Sequence, residues 1–260
     1  MENKVNESQY PIIGVIGGLG PHAGLDFVRK IFTNTKAEKD QEHLDCILVS
    51  CPSGIQDRTA YLLSKKGDNP ALGMFESARR LQKAGAHYIS VACNTAHAGQ
   101  IFSPFCEMVR DFLPGLTIIN MLETCAAYCK DKGRFKRLGL LATIGTHKSG
   151  VYKEYFRAND KFDLLEPDNK GQKSIHEAIF NENYGIKAHS DNIKPEARER
   201  IRVEIQKFIE KGAEAVILGC TELPLAVEAR DFSIPLIDPG LITARKLIEL
   251  AAPNKLLEAQ

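Results

Sequence analysis

Short unbroken apolar runs alternate along the chain with longer stretches in which apolar residues recur every third or fourth position. The runs have the composition of strands buried on both faces, and the longer stretches have the period of amphipathic helices. The pattern predicts strands over Pro11–Ile16, Cys46–Ser50, a run ending at Cys93, Thr117–Asn120, Leu138–Thr143, Leu164–Leu165, a run ending at Cys220, and Ile234–Ile237. It predicts helices over Pro21–Lys36, Pro70–Lys83, Asn94 to at least Glu107, Tyr152–Asn159, Gln172–Asn181, Pro195–Lys211 and Gly240–Ala251. Proline stands in the first turn of three of them, at Pro21, Pro70 and Pro195, where a helix has no use for an amide donor. In the helix from Pro70, the residues Leu72, Phe75, Ala78 and Leu81 share roughly one face. Alternating strands and helices mean an α/β fold with mainly parallel sheets.

One strand is written twice. Gly85-Ala86-His87-Tyr88-Ile89-Ser90-Val91-Ala92-Cys93-Asn94-Thr95 and Gly212-Ala213-Glu214-Ala215-Val216-Ile217-Leu218-Gly219-Cys220-Thr221-Glu222 run in step without a gap. The duplication extends further, because Leu138–Thr143 restarts the pattern of Ile13–Gly18 and is followed by a turn of small residues, Ile144-Gly145-Thr146. We therefore expect two pseudo-symmetric α/β domains, residues 1–120 plus 238–260 and residues 121–237, with a cleft between them. Each copy places its thiol just past the carboxyl end of a strand, where open α/β sheets keep their ligands.

Composition narrows the classes. Each half of a 260-residue chain is long enough to bury a core. The net charge is +1, basic residues are scattered, and tryptophan is absent, so nothing favours nucleic acid. No apolar run reaches the length of a membrane span, and the opening Met1–Gln9 is polar, so no membrane partner is expected and the protein is placed in the cytoplasm. Seven cysteines cannot all pair within the chain, which fits free thiols in a reducing compartment. Cys46, Cys51, Cys106, Cys125 and Cys129 read as small apolar fillers. Cys125 and Cys129, four apart on a helix, lack the Cys-x-x-Cys spacing of metal or redox sites.

Gly18, Gly20 and Ala23 satisfy the dinucleotide fingerprint G-x-G-x-x-[GA], but Pro21 removes a donor where pyrophosphate would lie, and the second strand ends in Cys51-Pro52 where an acid should hold a ribose. A tight turn into a helix accounts for them better. Two thiols from equivalent halves suit proton transfer at carbon. Inverting a stereocentre needs a base on one face and an acid on the other, and a thiolate and a thiol supply both, with roles exchanged in the reverse direction. A free thiol titrates at about 8.5, so polar neighbours must favour the thiolate, and Asn94, Thr95 and Thr221 stand beside the cysteines. His97 and Glu222 lie in the same motifs, each as well explained by a cap or structural hydrogen bond as by a role on the thiols. Arg58 follows Asp57 in the polar loop Ser53–Thr59; a surface ion pair is the common fate of adjacent charges, while a loop after a strand suits ligand binding.

Gly17-Gly18-Leu19-Gly20-Pro21, Asp57-Arg58-Thr59-Ala60-Tyr61, Cys93-Asn94-Thr95-Ala96-His97, Leu141-Ala142-Thr143 with Gly145-Thr146, and Gly219-Cys220-Thr221-Glu222-Leu223-Pro224 resemble, in content and order, the motifs of the aspartate/glutamate racemase superfamily, most closely its aspartate racemase branch. The resemblance runs from Ile12 to about Ala251. It implies Cys93 and Cys220 as catalytic acid and base. It also implies Asn94, Thr95 and Thr221 as ligands of the substrate's α-groups, Thr143 as a further substrate-binding residue, and Arg58 and Lys187 as ligands of its side-chain carboxylate. It further implies a homodimer working without pyridoxal phosphate, metal or other cofactor on a small amino-acid substrate. Ala92 and Gln56 depart from frequent prolines, and Gly24 from a frequent threonine whose hydroxyl is expected near the cleft. The expected activity is interconversion of L- and D-aspartate. Racemisation of glutamate or of a broader range, a single-cysteine isomerisation or decarboxylation of a diacid, and a non-catalytic small-ligand sensor are the alternatives.

Overall fold

The computed structural model describes residues 9–131, 135–157 and 162–258. The first half runs β1 Ile12–Gly17, α1 Pro21–Thr33, β2 Cys46–Ser50, α2 Arg58–Ser64, α3 Pro70–Lys83, β3 Ala86–Val91, α4 Gly99–Phe112 and β4 Thr117–Ile118. Then follow α5 Met121–Asp131, β5 Arg137–Ala142, α6 Ile144–Ser149, α7 Val151–Arg157, β6 Asp163–Leu165, α8 Asn169–Phe180, α9 Pro195–Glu210, β7 Ala215–Gly219, β8 Leu236–Ile237 and α10 Pro239–Ala251. The strands form two four-stranded sheets of order β2-β1-β3-β4 and β6-β5-β7-β8. Every pairing within them is parallel. The two sheets therefore repeat one topology, and the duplicated strands β3 and β7 hold the same place in each.

Most of the expected elements form, and the departures have local causes. No helix begins at Asn94; Thr95–His97 makes one 3-10 turn, Ala98 is extended at ψ 132°, and α4 starts at Gly99. The supposed turn at Ile144-Gly145-Thr146 is the helix α6, because Thr143 caps it by accepting from the Thr146 amide at 3.2 Å. Cys125 and Cys129 do lie on a helix, α5, whose start Asn120 caps through the Leu122 and Glu123 amides. In α3 the buried face is Ala71, Met74, Ser77, Ala78 and Leu81, so Leu72 points to solvent and Phe75 only flanks the core. The expected end of the Tyr152 helix at Asn159 lies outside the described residues.

Leu247, Ile248 and Ala251 of α10 pack with Val15, Phe27 and Ile31 of the first half, whereas Leu122, Cys125 and Ala126 of α5 pack with Leu138 and Leu140 of the second. On this packing we propose that the two folding units divide near residues 120 and 238. None of the described helices is long and apolar enough to cross a membrane.

Candidate active site

The carboxyl ends of β1, β3, β5 and β7 meet where the two halves face each other. Cys93 lies just past β3 and Cys220 just past β7, and both are buried, at 8% and 6% exposure. Hydrogen bonds stitch the surrounding loops across the seam. The Thr221 hydroxyl donates to the Ala92 carbonyl at 3.3 Å. Thr95 of the first half meets Thr146 at 2.8 Å and Thr143 at 3.4 Å, and those two hydroxyls lie 3.1 Å apart. The Tyr152 hydroxyl donates to Asn94 Oδ1 at 2.7 Å. Thr146 and Tyr152 are not among the site residues expected from the sequence, although Thr146 stands one turn from Thr143.

The open end of this seam is a cavity of about 200 Å³ lined by Leu19, Gly20, Arg58, Phe180, Lys187 and Glu222, among others. That is smaller than the ~300 Å³ at which drug-sized pockets begin. Arg58 is the first residue of α2 and is buried; Asp57 does not pair with it but caps the helix by accepting from the Ala60 amide at 2.6 Å. Arg58 Nη2 donates to the Leu19 carbonyl, and Nη1 to the Gln56 carbonyl at 3.2 Å. Lys187 Nζ reaches the same Leu19 carbonyl at 3.3 Å and lies 5.6 Å from the centre of the Phe180 ring. Two cations thus converge on one backbone oxygen, and Arg58 Nε, though buried, has no partner.

Neither thiol lines the cavity, and Glu222, which does, stands against Cys220. Its Oε1 pairs with Lys187, and its Oε2 accepts from the Cys220 thiol at 2.9 Å. Burial pushes the Cys220 thiol well above its ordinary value, and the Glu222 carboxylate pushes it further, against the pull of Lys187. Burial also opposes the charges of Glu222 and Lys187. Lys187, the thiol and Arg58 nevertheless hold Glu222 below the usual carboxylate range, and Glu222 with the two thiols raises Lys187. The pair is therefore ionised while Cys220 is a thiol. Gly20 makes room for it, since a Cβ there would fall on the Glu222 carboxylate.

His97 has a structural place. Its Nε2 accepts from the Met121 amide at 3.2 Å, which puts the ring proton on Nδ1, the donor to the Cys93 carbonyl at 2.9 Å. Its ring stacks on Phe102 at 4.4 Å, and burial lowers its pKa to about 4, so it is neutral beside Cys93. Gly18 turns the chain at φ +81°, with the Cys51–Pro52 backbone where a side chain would go; this close packing accounts for the glycine-rich turn. Gly24 faces Gly17 and Leu48, so a threonine hydroxyl there would begin against β1 and β2 instead of among the residues lining the cavity.

Of the other cysteines, burial drives Cys46 to about 12 and Cys106 to about 11, and Cys125 is raised by its hydrogen bond to Cys129 and by burial; Cys51 is half-buried, its sulfur accepting from Arg80 Nη1 at 2.8 Å. Among the described residues no three His, Cys, Asp or Glu side chains come together as a set of metal ligands.

Residues 16–247 match the Asp/Glu/Hydantoin racemase family. Aspartate racemase of Picrophilus torridus has a similar structure, with a TM-score of 0.79 and 30% identity over 95% of this chain and 96% of that one. The broad-specificity amino-acid racemase RacX of Bacillus subtilis is 21% identical over 91% of this chain and 96% of its own length. A glutamate racemase of Levilactobacillus brevis is 26% identical over 68% of this chain, which spans only 59% of that protein's length. With the family match covering nearly the whole chain and the duplicated thiol strands at equivalent places, the chain belongs to the Asp/Glu/Hydantoin racemase family.

Proposed function

We propose that this protein is a cofactor-independent racemase of aspartate, with Cys93 and Cys220 serving opposite faces of the α-carbon. The observation that carries the reading is the equivalence of the two thiols: each follows the same strand of the same sheet topology, and their loops are joined through Thr221 and Ala92. One sulfur, as thiolate, takes the α-proton; the other, as thiol, delivers its proton to the opposite face, so one C–H bond breaks as another forms. Cys220, protonated at rest, already carries the proton that its role as acid requires. Asn94, Thr95, Thr143 and Thr221 hold the α-carboxylate and α-ammonium groups. Arg58 and Lys187 hold the distal carboxylate, which takes Lys187 over from Glu222. The proposal includes a homodimer in the cytoplasm and activity that survives dialysis against EDTA and treatment with hydroxylamine.

A wider substrate range is the second reading, supported by the similarity to a glutamate racemase and to a broad-specificity racemase. A chiral assay over acidic, amide and neutral amino acids in deuterium oxide decides between them. Aspartate is expected to racemise fastest, with loss of its α-proton signal. Faster turnover of glutamate would transfer the proposal to that substrate, and no exchange with any amino acid would leave a sensor.

A further inference from the structure

Asn94 follows Cys93 directly and is 1% exposed. The two ends of its amide are in different circumstances. Oδ1 accepts from the Tyr152 hydroxyl, while Nδ2 is buried without a partner. Buried donors are ordinarily paired, so a free amide nitrogen in a site is a group kept for a ligand. Arg58 Nε, at the other end of the site, is in the same condition.

The amide is oriented from the opposite half of the molecule. Tyr152 stands on α7, its ring buried 5.7 Å from that of Phe156. Burial raises its pKa well above the ordinary value, so the group is always an O–H. In the structure the hydroxyl meets the oxygen end of the amide, so the nitrogen faces elsewhere. We propose that Tyr152 is a positioning residue: by donating to Asn94 Oδ1 it presents Asn94 Nδ2 as a donor to the α-carboxylate of an amino acid bound beside Cys93. This rests on the racemase reading of the site. When the α-proton leaves, negative charge moves from carbon onto that carboxylate, and a donor already aimed at it stabilises the charge without reorganising. An amide released from Tyr152 is free to turn its oxygen to the carboxylate, which repels it.

The test is a double-mutant cycle of Y152F, N94A and the double variant. It is read as kcat/KM for aspartate and as the calorimetric Kd for DL-aspartate, a mixture that turnover leaves unchanged. Y152F removes one oxygen and is expected to lower kcat/KM about 10-fold in the native background but less than about 2-fold when Asn94 is already alanine. Equal factors in both backgrounds, or full activity in Y152F, overturn the proposal. Should Y152F fail to fold, N94D keeps the Tyr152 bond while exchanging the donor for an acceptor. It is expected to fall below N94A, and activity at the native level overturns the proposal. If the native protein binds aspartate without racemising it, the racemase reading fails and the cycle is decided on Kd alone. If it binds none of aspartate, glutamate and alanine, both fall.

Discussion

The hydroxyl of Thr221 donates to the carbonyl of Ala92, tying the residue after one duplicated cysteine to the residue before the other at 3.3 Å. The bond spans 129 positions of sequence and fixes the two thiol loops against each other. Thr221→Val removes this bond together with the hydroxyl's 3.4 Å contact to Glu222 Oε2, and should cost about 1 kcal/mol of stability by denaturant unfolding and lower kcat about ten-fold, with Thr221→Ser restoring most of both. Unchanged kcat in Thr221→Val would remove the bond from the account.

Glu222 raises the Cys220 pKa, so Glu222→Gln should move it down. The measurement is the pH dependence of iodoacetamide labelling at Cys220, followed by mass spectrometry. The profile of the variant should lie at lower pH than the native one, since a thiolate beside Lys187 no longer faces a carboxylate. A profile displaced upward would contradict the arrangement.

Arg58 and Lys187 share the Leu19 carbonyl at the cavity, and a guanidinium matches a carboxylate in two places where an ammonium gives one charge. A hydrogen bond to a charged group contributes roughly 1.5 to 3 kcal/mol, so Arg58→Leu should lose at least about ten-fold in kcat/KM for aspartate. Alanine, with no distal carboxylate, should lose much less. The ratio of the two is the deciding quantity, and an unchanged ratio would take Arg58 out of the site.

His97 is neutral in the folded protein, its pKa lowered by burial from 6.5 to about 4. As pH falls below 6.5 the unfolded chain takes up this proton first, so stability is lost between pH 6.5 and 4, on the order of 3 kcal/mol. Glu166, held at about 2 chiefly by its hydrogen bond to His147, contributes its own loss only as pH falls below 4.5. In His97→Gln the slope of stability between pH 6.5 and 4 should flatten, as measured by urea unfolding across that range. An unchanged slope would mean that His97 is not the group responsible.

The sheets, the duplicated thiols and Arg58 were legible because each is carried by a local pattern: a buried run, a repeat, a polar segment after a strand. Lys187 was named only through family resemblance, and its partner Leu19 is 168 positions away. The roles of Glu222 and Tyr152 depend in the same way on contacts between elements that no periodicity records. The capped helix α6 was hidden because Gly145 and Thr146 are poor helix formers and its cap, Thr143, was read as the end of a strand. Neither thiol lines the cavity, which composition and spacing had no means of showing; at Cys220 it is Glu222, admitted by the missing side chain of Gly20, that stands against the sulfur.

In the proposed mechanism two thiols act on two faces of one carbon. The decisive measurement is racemisation of aspartate by Cys93→Ala and by Cys220→Ala, followed by chiral chromatography beside α-proton exchange in deuterium oxide. Neither variant should racemise, and each should retain slow α-proton exchange only with the enantiomer its remaining thiol faces. Near-native racemisation by either single variant would contradict this mechanism.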